Sequence, residues 1–253
     1  MDFSTLILLL SAGFAAGTVN ALAGGGTIFT FSALIAAGLP PITANATSAI
    51  SVLPGQIAST LAYRSELRAV ARRLLPFIIA SALGGTAGGI LLLATDPSVF
   101  RGLVPWLIFF ATVLFALSPQ IAGVGERLAT GRAAGSGPGA SATALQAAVA
   151  IYGGYFGAGM GIMMLATLSL TEGRDFHRLN AAKNVLACVM QGLAVMVFIV
   201  SGAVDWQSVF VVACASIAGG WASVRVGKLI PQQAIRWGVI VTGLALSGWY
   251  ALG

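Results

Sequence analysis

Ala23-Gly24-Gly25-Gly26-Thr27 is the stretch on which the fold turns, because the chain carries its like a second time. A gap-free shift of 135 residues places it on Ala158-Gly159-Met160-Gly161-Ile162. The same shift sets Gly38 on Gly173, Asn45 on Asn180, Gln56 on Gln191 and Arg101 on Arg236. Alanine and glycine coincidences are cheap in a chain this rich in small residues. Asn, Gln and Arg coincidences at one offset are not, and they indicate an internal duplication. The expected units are a first repeat over 1–118, a linker over 119–140 and a second repeat over 141–253, each repeat carrying a glycine break inside apolar sequence.

Composition sets the solvent. The 253 residues are 58% hydrophobic and 8% charged, with mean hydropathy +0.94. A soluble domain carries about 25% charged residues, so the chain is expected to be an all-α polytopic membrane protein. Five apolar segments can be drawn in each half, over 3–22, 27–38, 44–62, 74–94 and 100–118, then 141–157, 160–171, 180–200, 206–225 and 233–252. Segments 27–38 and 160–171 are of a length more often found in half-helices or re-entrant arms than in full spans, giving eight to ten membrane segments. The N-terminus has Asp2 and no basic residue before its apolar run, which argues against a cleaved signal peptide. Cys188 and Cys214 lie inside apolar runs and are expected as small buried side chains. The +6 net charge is explained by loops between spans rather than by nucleic acid.

Arg64, Arg68, Arg72 and Arg73 place the loop after the third segment in the cytoplasm, and counting onward puts the linker with Arg127 and Arg132 there too. Both termini are then periplasmic. Of the thirteen basic residues only Arg101 falls near the outer face. The loop after Gln56 is inside while its equivalent after Gln191 is outside, so the repeats are expected to have inverted topology, the architecture of secondary transporters.

All seven carboxylates fall in loops or at segment ends, and no Cys/His cluster or Ser-His-Asp set is recognisable. A carboxylate proton relay, a metal site and an enzyme are therefore poorly supported, and no cofactor is expected. His177 reads as a solvated loop residue. The interior instead holds glycines, amides, hydroxyls and one lysine. Glycine runs let the backbone bend, and helices starting at Thr27 and Ile162 aim their positive dipole ends at the break. Gly24, Gly25, Gly26, Gly159 and Gly161 are thus candidates for an anion cradle. Asn45-Ala46-Thr47-Ser48 and Asn180-Ala181-Ala182-Lys183-Asn184 fall at the start of the third segment of each half, where Asn45, Thr47, Ser48, Asn180 and Asn184 either cap the helix or hold a polar ligand. Lys183 is disfavoured at a helix start, and it either snorkels to the cytoplasmic face or awaits an anion. Gln56 and Gln191, three turns further on, either cross-link helices or line the path.

At these residues the chain resembles the TauE/SafE family of sulfite and organosulfonate exporters over essentially its whole length. It departs in Gly157-Ala158-Gly159-Met160-Gly161, where the family has an uninterrupted glycine run, and in lacking the proline that often follows the first glycine motif. The resemblance implies a secondary transporter of the bacterial cytoplasmic (inner) membrane that exports small sulfur-containing anions such as sulfite, sulfoacetate or related sulfonates. Its implied partners are that anion and membrane lipid, with a homo-oligomer an option. Glycine amides would hold the oxyanion and Lys183 would balance its charge. An anion channel and a non-transporting membrane subunit of sulfur metabolism are the competing classes.

Overall fold

The computed structural model describes residues 1–22, 25–62, 73–118, 120, 139–172, 176–226 and 232–252. Among these residues there are ten helices and no strand. In the first half they are α1 (Phe3–Leu22), α2 (Thr27–Ala36), α3 (Pro41–Ala62), α4 (Leu75–Ala94) and α5 (Pro97–Ala116). In the second they are α6 (Ala140–Tyr155), α7 (Met160–Glu172), α8 (Phe176–Ser201), α9 (Trp206–Val226) and α10 (Gln232–Leu252). Every expected apolar segment is a helix. Four helical stretches are long and apolar enough to cross a membrane, over Phe3–Asn20, Leu75–Ala94, Pro97–Ala116 and Arg178–Ser201. The 22-residue α3 falls outside that set because Asn45, Thr47, Ser48, Ser51 and Gln56 dilute its apolar character. At 10 and 13 residues, α2 and α7 are about 15 and 20 Å long, half to two thirds of a hydrocarbon core.

Boundaries follow local chemistry, and two of them correct the sequence expectation. Pro41 opens α3, three residues before the expected start, because proline is preorganised for a first helical turn. The helix α8 begins at Phe176, so His177 lies in its first turn and not in a loop. Asn45 and Asn180 are consequently the fifth residues of their helices, and Lys183 is well inside α8. Asp96 caps α5, accepting from the Ser98 amide at 2.8 Å and the Ser98 hydroxyl at 2.5 Å. Those two bonds hold the Asp96 carboxyl below the usual carboxylate range.

Most helix contacts recur at the positions related by the repeat. The α1–α9 contact corresponds to α6–α4, α4–α8 to α9–α3, and α1–α2 to α6–α7. Two contacts join a helix to its own equivalent, α3 to α8 and α5 to α10. Ser247 of α10 donates to the Pro105 carbonyl of α5 at 2.9 Å, Gly243 abuts Thr112, and Val239 and Ile240 cluster with Phe115. Residue numbers fall along α10 as they rise along α5, so these equivalent helices are antiparallel. The same holds for α3 and α8, since Thr47 near the start of α3 accepts from the Asp205 amide just past the end of α8 at 3.0 Å. A duplication whose equivalent helices run antiparallel is an inverted repeat.

The two repeats interlock through seams of small residues. A methyl group on Gly17 would strike the backbone of Ser216, and one on Gly219 the backbone of Phe14. In the equivalent α4–α6 seam Gly88 abuts Ile151, and Gly154 abuts Gly85. Small residues let helix backbones touch where lipid gives no hydrophobic push. Large apolar side chains such as Leu83, Trp106, Val200, Phe210 and Trp249 cover the outside. Cys214 is exposed on this surface, against the expectation of burial, while Cys188 is half-buried. A thiol is apolar enough for either setting.

Gly88→Ala should therefore lower stability in detergent by about 1–3 kcal/mol through overpacking. Gly102→Ala, where nothing lies within 4 Å, should leave the melting temperature unchanged or slightly raised. Equal effects at the two positions would refute the seam.

Candidate functional site

Each helix break sits beside the same face of α5. At the first break Gly25 takes φ +93°, which a side chain rarely adopts, and a Cβ there would meet the Phe115 ring at 3.3 Å. At the second Gly159 takes φ +76°, and its Cβ would meet Ala111 at 3.4 Å. Ala111 and Phe115 are one helical turn apart, so the two breaks converge. Ile162 from the start of α7 joins Phe115 and Val19 in one apolar cluster, against which Phe29 of α2 packs. Phe31 and Phe156 meet edge to face at 5.4 Å beside the breaks. Gly24 lies outside the described residues.

Polar groups released by the breaks find partners across the molecule. The Asn45 side chain donates to the Tyr155 carbonyl at 2.9 Å, tying α3 of the first repeat to the end of α6, just before the second break. Asn45 therefore braces the opposite repeat's broken helix and is not a cap of α3. The Gly26 amide donates to the Asn20 side chain at 2.8 Å. This corrects the expectation that all the glycine amides are open to an anion, because Asn20 occupies one of them. The equivalent amide, that of Gly161, has no side-chain acceptor among the described residues, since Tyr155 stands where the first repeat has Asn20.

The remaining candidates divide into two groups. Thr27 is buried at the start of α2, and Ser48 is fully buried with its hydroxyl 2.6 Å from that of Thr30. Thr47 is engaged by the Asp205 amide as described above. Gln56 donates to Gln191 at 2.6 Å, and Gln191 donates on to the Ala49 carbonyl at 3.1 Å. Two residues related by the repeat offset thus bond each other where α3 crosses α8, the cross-linking alternative. The Gln56 Oε1 is buried without a partner among the described residues. Asn180, Lys183 and Asn184 are half-buried on α8.

Lys183 is the residue that sets the two halves apart. Its repeat equivalent is Ser48, satisfied by Thr30. The Lys183 stem runs along the second break, with its Cδ 3.6 Å from where a Cβ on Gly161 would stand. It makes no hydrogen bond or ion pair among the described residues. Away from this centre, Arg101, Ser98, Trp106 and Tyr250 line an open cleft of about 460 Å³ between the start of α5 and the end of α10. Asn20 and Thr30 were missed from sequence. An Asn six residues before a glycine is a legible partner for its amide, but the repeat comparison hid it because Tyr155 is its equivalent.

Interlocked inverted repeats, with two broken helices brought against one face of α5, are an architecture of membrane transporters. A family model described as "Sulfite exporter TauE/SafE" matches residues 9–250, and the chain belongs to that family. It is 27% identical to a "Probable membrane transporter protein" of Haemophilus influenzae, over 97% of this chain and 96% of that one. It is 24% identical to "Probable membrane transporter protein ORF9" of a Sinorhizobium species, over 98% and 92% of the two chains. "Probable membrane transporter protein YfcA" of Escherichia coli K12 is 25% identical over 92% and 84%. No solved structure matches the chain.

A double-mutant cycle on Gln56→Ala and Gln191→Ala should give a coupling of about 0.6–1.7 kcal/mol in thermal or denaturant unfolding, the range for hydrogen bonds between membrane helices. Strictly additive effects would mean the two amides do not bond.

Proposed function

We propose that the protein is a secondary transporter exporting small sulfur-containing anions, sulfite or organosulfonates, across the bacterial cytoplasmic membrane by alternating access between its inverted repeats. The single observation that carries this reading is the Lys183 stem lying against Gly161, without an ion-pair partner among the described residues. Snorkelling would carry the ammonium toward the loop before α8, whereas Gly161 belongs to the break. An ammonium beside a helix N-terminus and an uncapped glycine amide suits an oxyanion on three counts: charge, dipole and donor geometry.

In this reading the second break binds and the first break supports. Gly159, Gly161 and Lys183 hold the anion, with Asn180 and Asn184 placed on α8 to orient it. Gly25, Gly26 and Thr27 form the facing wall, closed by Asn20. Thr47, Gln56 and Gln191 maintain the crossing of α3 and α8 around which one repeat rocks on the other, while Asn45 braces the end of α6 and Ser48 ties α3 to α2. The linker 119–140 is cytoplasmic and both termini are periplasmic, following the basic residues.

The test is thermal stabilisation of purified protein by sulfite, sulfate, thiosulfate, sulfoacetate, taurine, acetate and chloride at matched ionic strength. One sulfur oxyanion or sulfonate should stabilise selectively. Lys183→Ala should weaken that binding by about 10–100-fold, the value of one charged hydrogen bond, while keeping the ligand-free melting temperature within a few degrees. Undiminished affinity in Lys183→Ala would remove the lysine from the site, and a flat panel would remove the substrate class.

A further inference from the structure

We infer that transport is electroneutral, each cycle moving one monovalent anion together with one proton carried on Lys183. The inference rests on the anion site proposed above and adds its coupling ion and the charge of its substrate.

The helices packed against α8 are α3, α4, α6 and α7. No charged residue occurs in α3, α4 or α6, whose titratable groups are Tyr152 and Tyr155. On α7 the sole charged residue is Glu172, eleven residues beyond Gly161, or about 16 Å along the axis. On α8 itself the other titratable groups are His177, Arg178 and Cys188, and Asp175 before it lies outside the described residues. Among the described residues, the helices packed against α8 thus bring no carboxylate to the second break, and Lys183 is the cation whose stem lies against it.

A lone ammonium is costly whenever the site passes through a form closed to water on both sides. When the anion is present, the anion balances it. When the site is empty, balance requires Nζ to give its proton to water on the open side. The carrier then closes in two neutral forms, –NH3+ with one anion or –NH2 alone. Over a cycle –NH2 gains a proton and then an anion on one side, and on the other it releases the anion to solution and the proton to water. No covalent bond to the anion forms. Net flux is one anion and one proton in the same direction, and two loaded half-cycles give one-for-one anion exchange. Outward flux is driven by the anion's own gradient and takes a proton with it. A dianion such as sulfate would leave one charge unbalanced, so monoanions, sulfonates or hydrogen sulfite, are the substrates.

The test uses full-length protein in liposomes with methanesulfonate, whose own acidity is too strong for it to carry the proton. Uptake should acidify the interior by one proton per anion and should not respond to a potassium diffusion potential set with valinomycin. Sulfate should move at least about tenfold more slowly. Lys183→Arg keeps the charge but cannot shed a proton, so net uptake should fall at least about tenfold while methanesulfonate exchange persists. Anion accumulation driven by the potential, anion uptake without proton movement, or undiminished net uptake in Lys183→Arg would each overturn the inference and leave the anion site standing. If Lys183→Arg does not fold, the wild-type proton-to-anion ratio decides alone. Absence of both uptake and exchange in folded wild-type protein would overturn the sulfonate reading, and the inference with it.

Discussion

A helix interrupted inside a bilayer exposes peptide groups that no lipid can satisfy, and each such group costs several kcal/mol unless the protein answers it. The rest of this structure depends on that constraint. The chain breaks its helices twice, at Gly25 and at Gly157–Gly159, and brings both breaks against one face of α5. The Asn45 amide reaches across from α3 to the last carbonyl of α6, and Asn20 takes the amide of Gly26. Because the brace for the second break comes from the first repeat, the second half does not complete its own break, and α1 on α9 and α6 on α4 interlock the halves further.

The duplication makes the scaffold symmetric and the chemistry asymmetric. Equivalent helices meet antiparallel at α3–α8 and α5–α10, and equivalent glutamines bond each other at the first of these crossings. At the equivalent positions 48 and 183, one half has a serine satisfied by Thr30 and the other a lysine without a partner among the described residues. Likewise Asn20 closes an amide in the first half where Tyr155 offers no acceptor in the second. Each divergence moves the first break toward a closed, self-satisfied state and the second toward positive charge.

Element positions were legible because apolar runs bounded by Pro40-Pro41, Asp96-Pro97 and the glycine motifs leave little choice to a chain in hydrocarbon. Inversion was also legible, since the basic residues put the loop after Gln56 and the loop after Gln191 on opposite sides. Hydrogen-bond partners were not. Asn45 looked like a helix cap because its helix was expected to start at residue 44, and the start at Pro41 puts it too far in to cap anything. The partner of Asn45 is a main-chain carbonyl 110 residues away, and backbone atoms carry no sequence signal. Lys183 had two outlets with equal local support in the sequence, and the contact of its stem with Gly161 depends on a fold partner that the sequence does not name.

The central claim is that the convergent breaks form a site reached by water from each side in turn. Its most direct test is the accessibility of a cysteine at position 48, buried against Thr30 one turn into α2, as Ser48→Cys in a Cys188→Ala, Cys214→Ala background. A membrane-impermeant sulfonate-bearing thiol reagent would be applied separately to each face of oriented vesicles. The account predicts modification from either side, slowed by the transported anion. A cysteine that reacts from neither side, or from one side only and without protection by any anion, would contradict it and leave the breaks as packing devices.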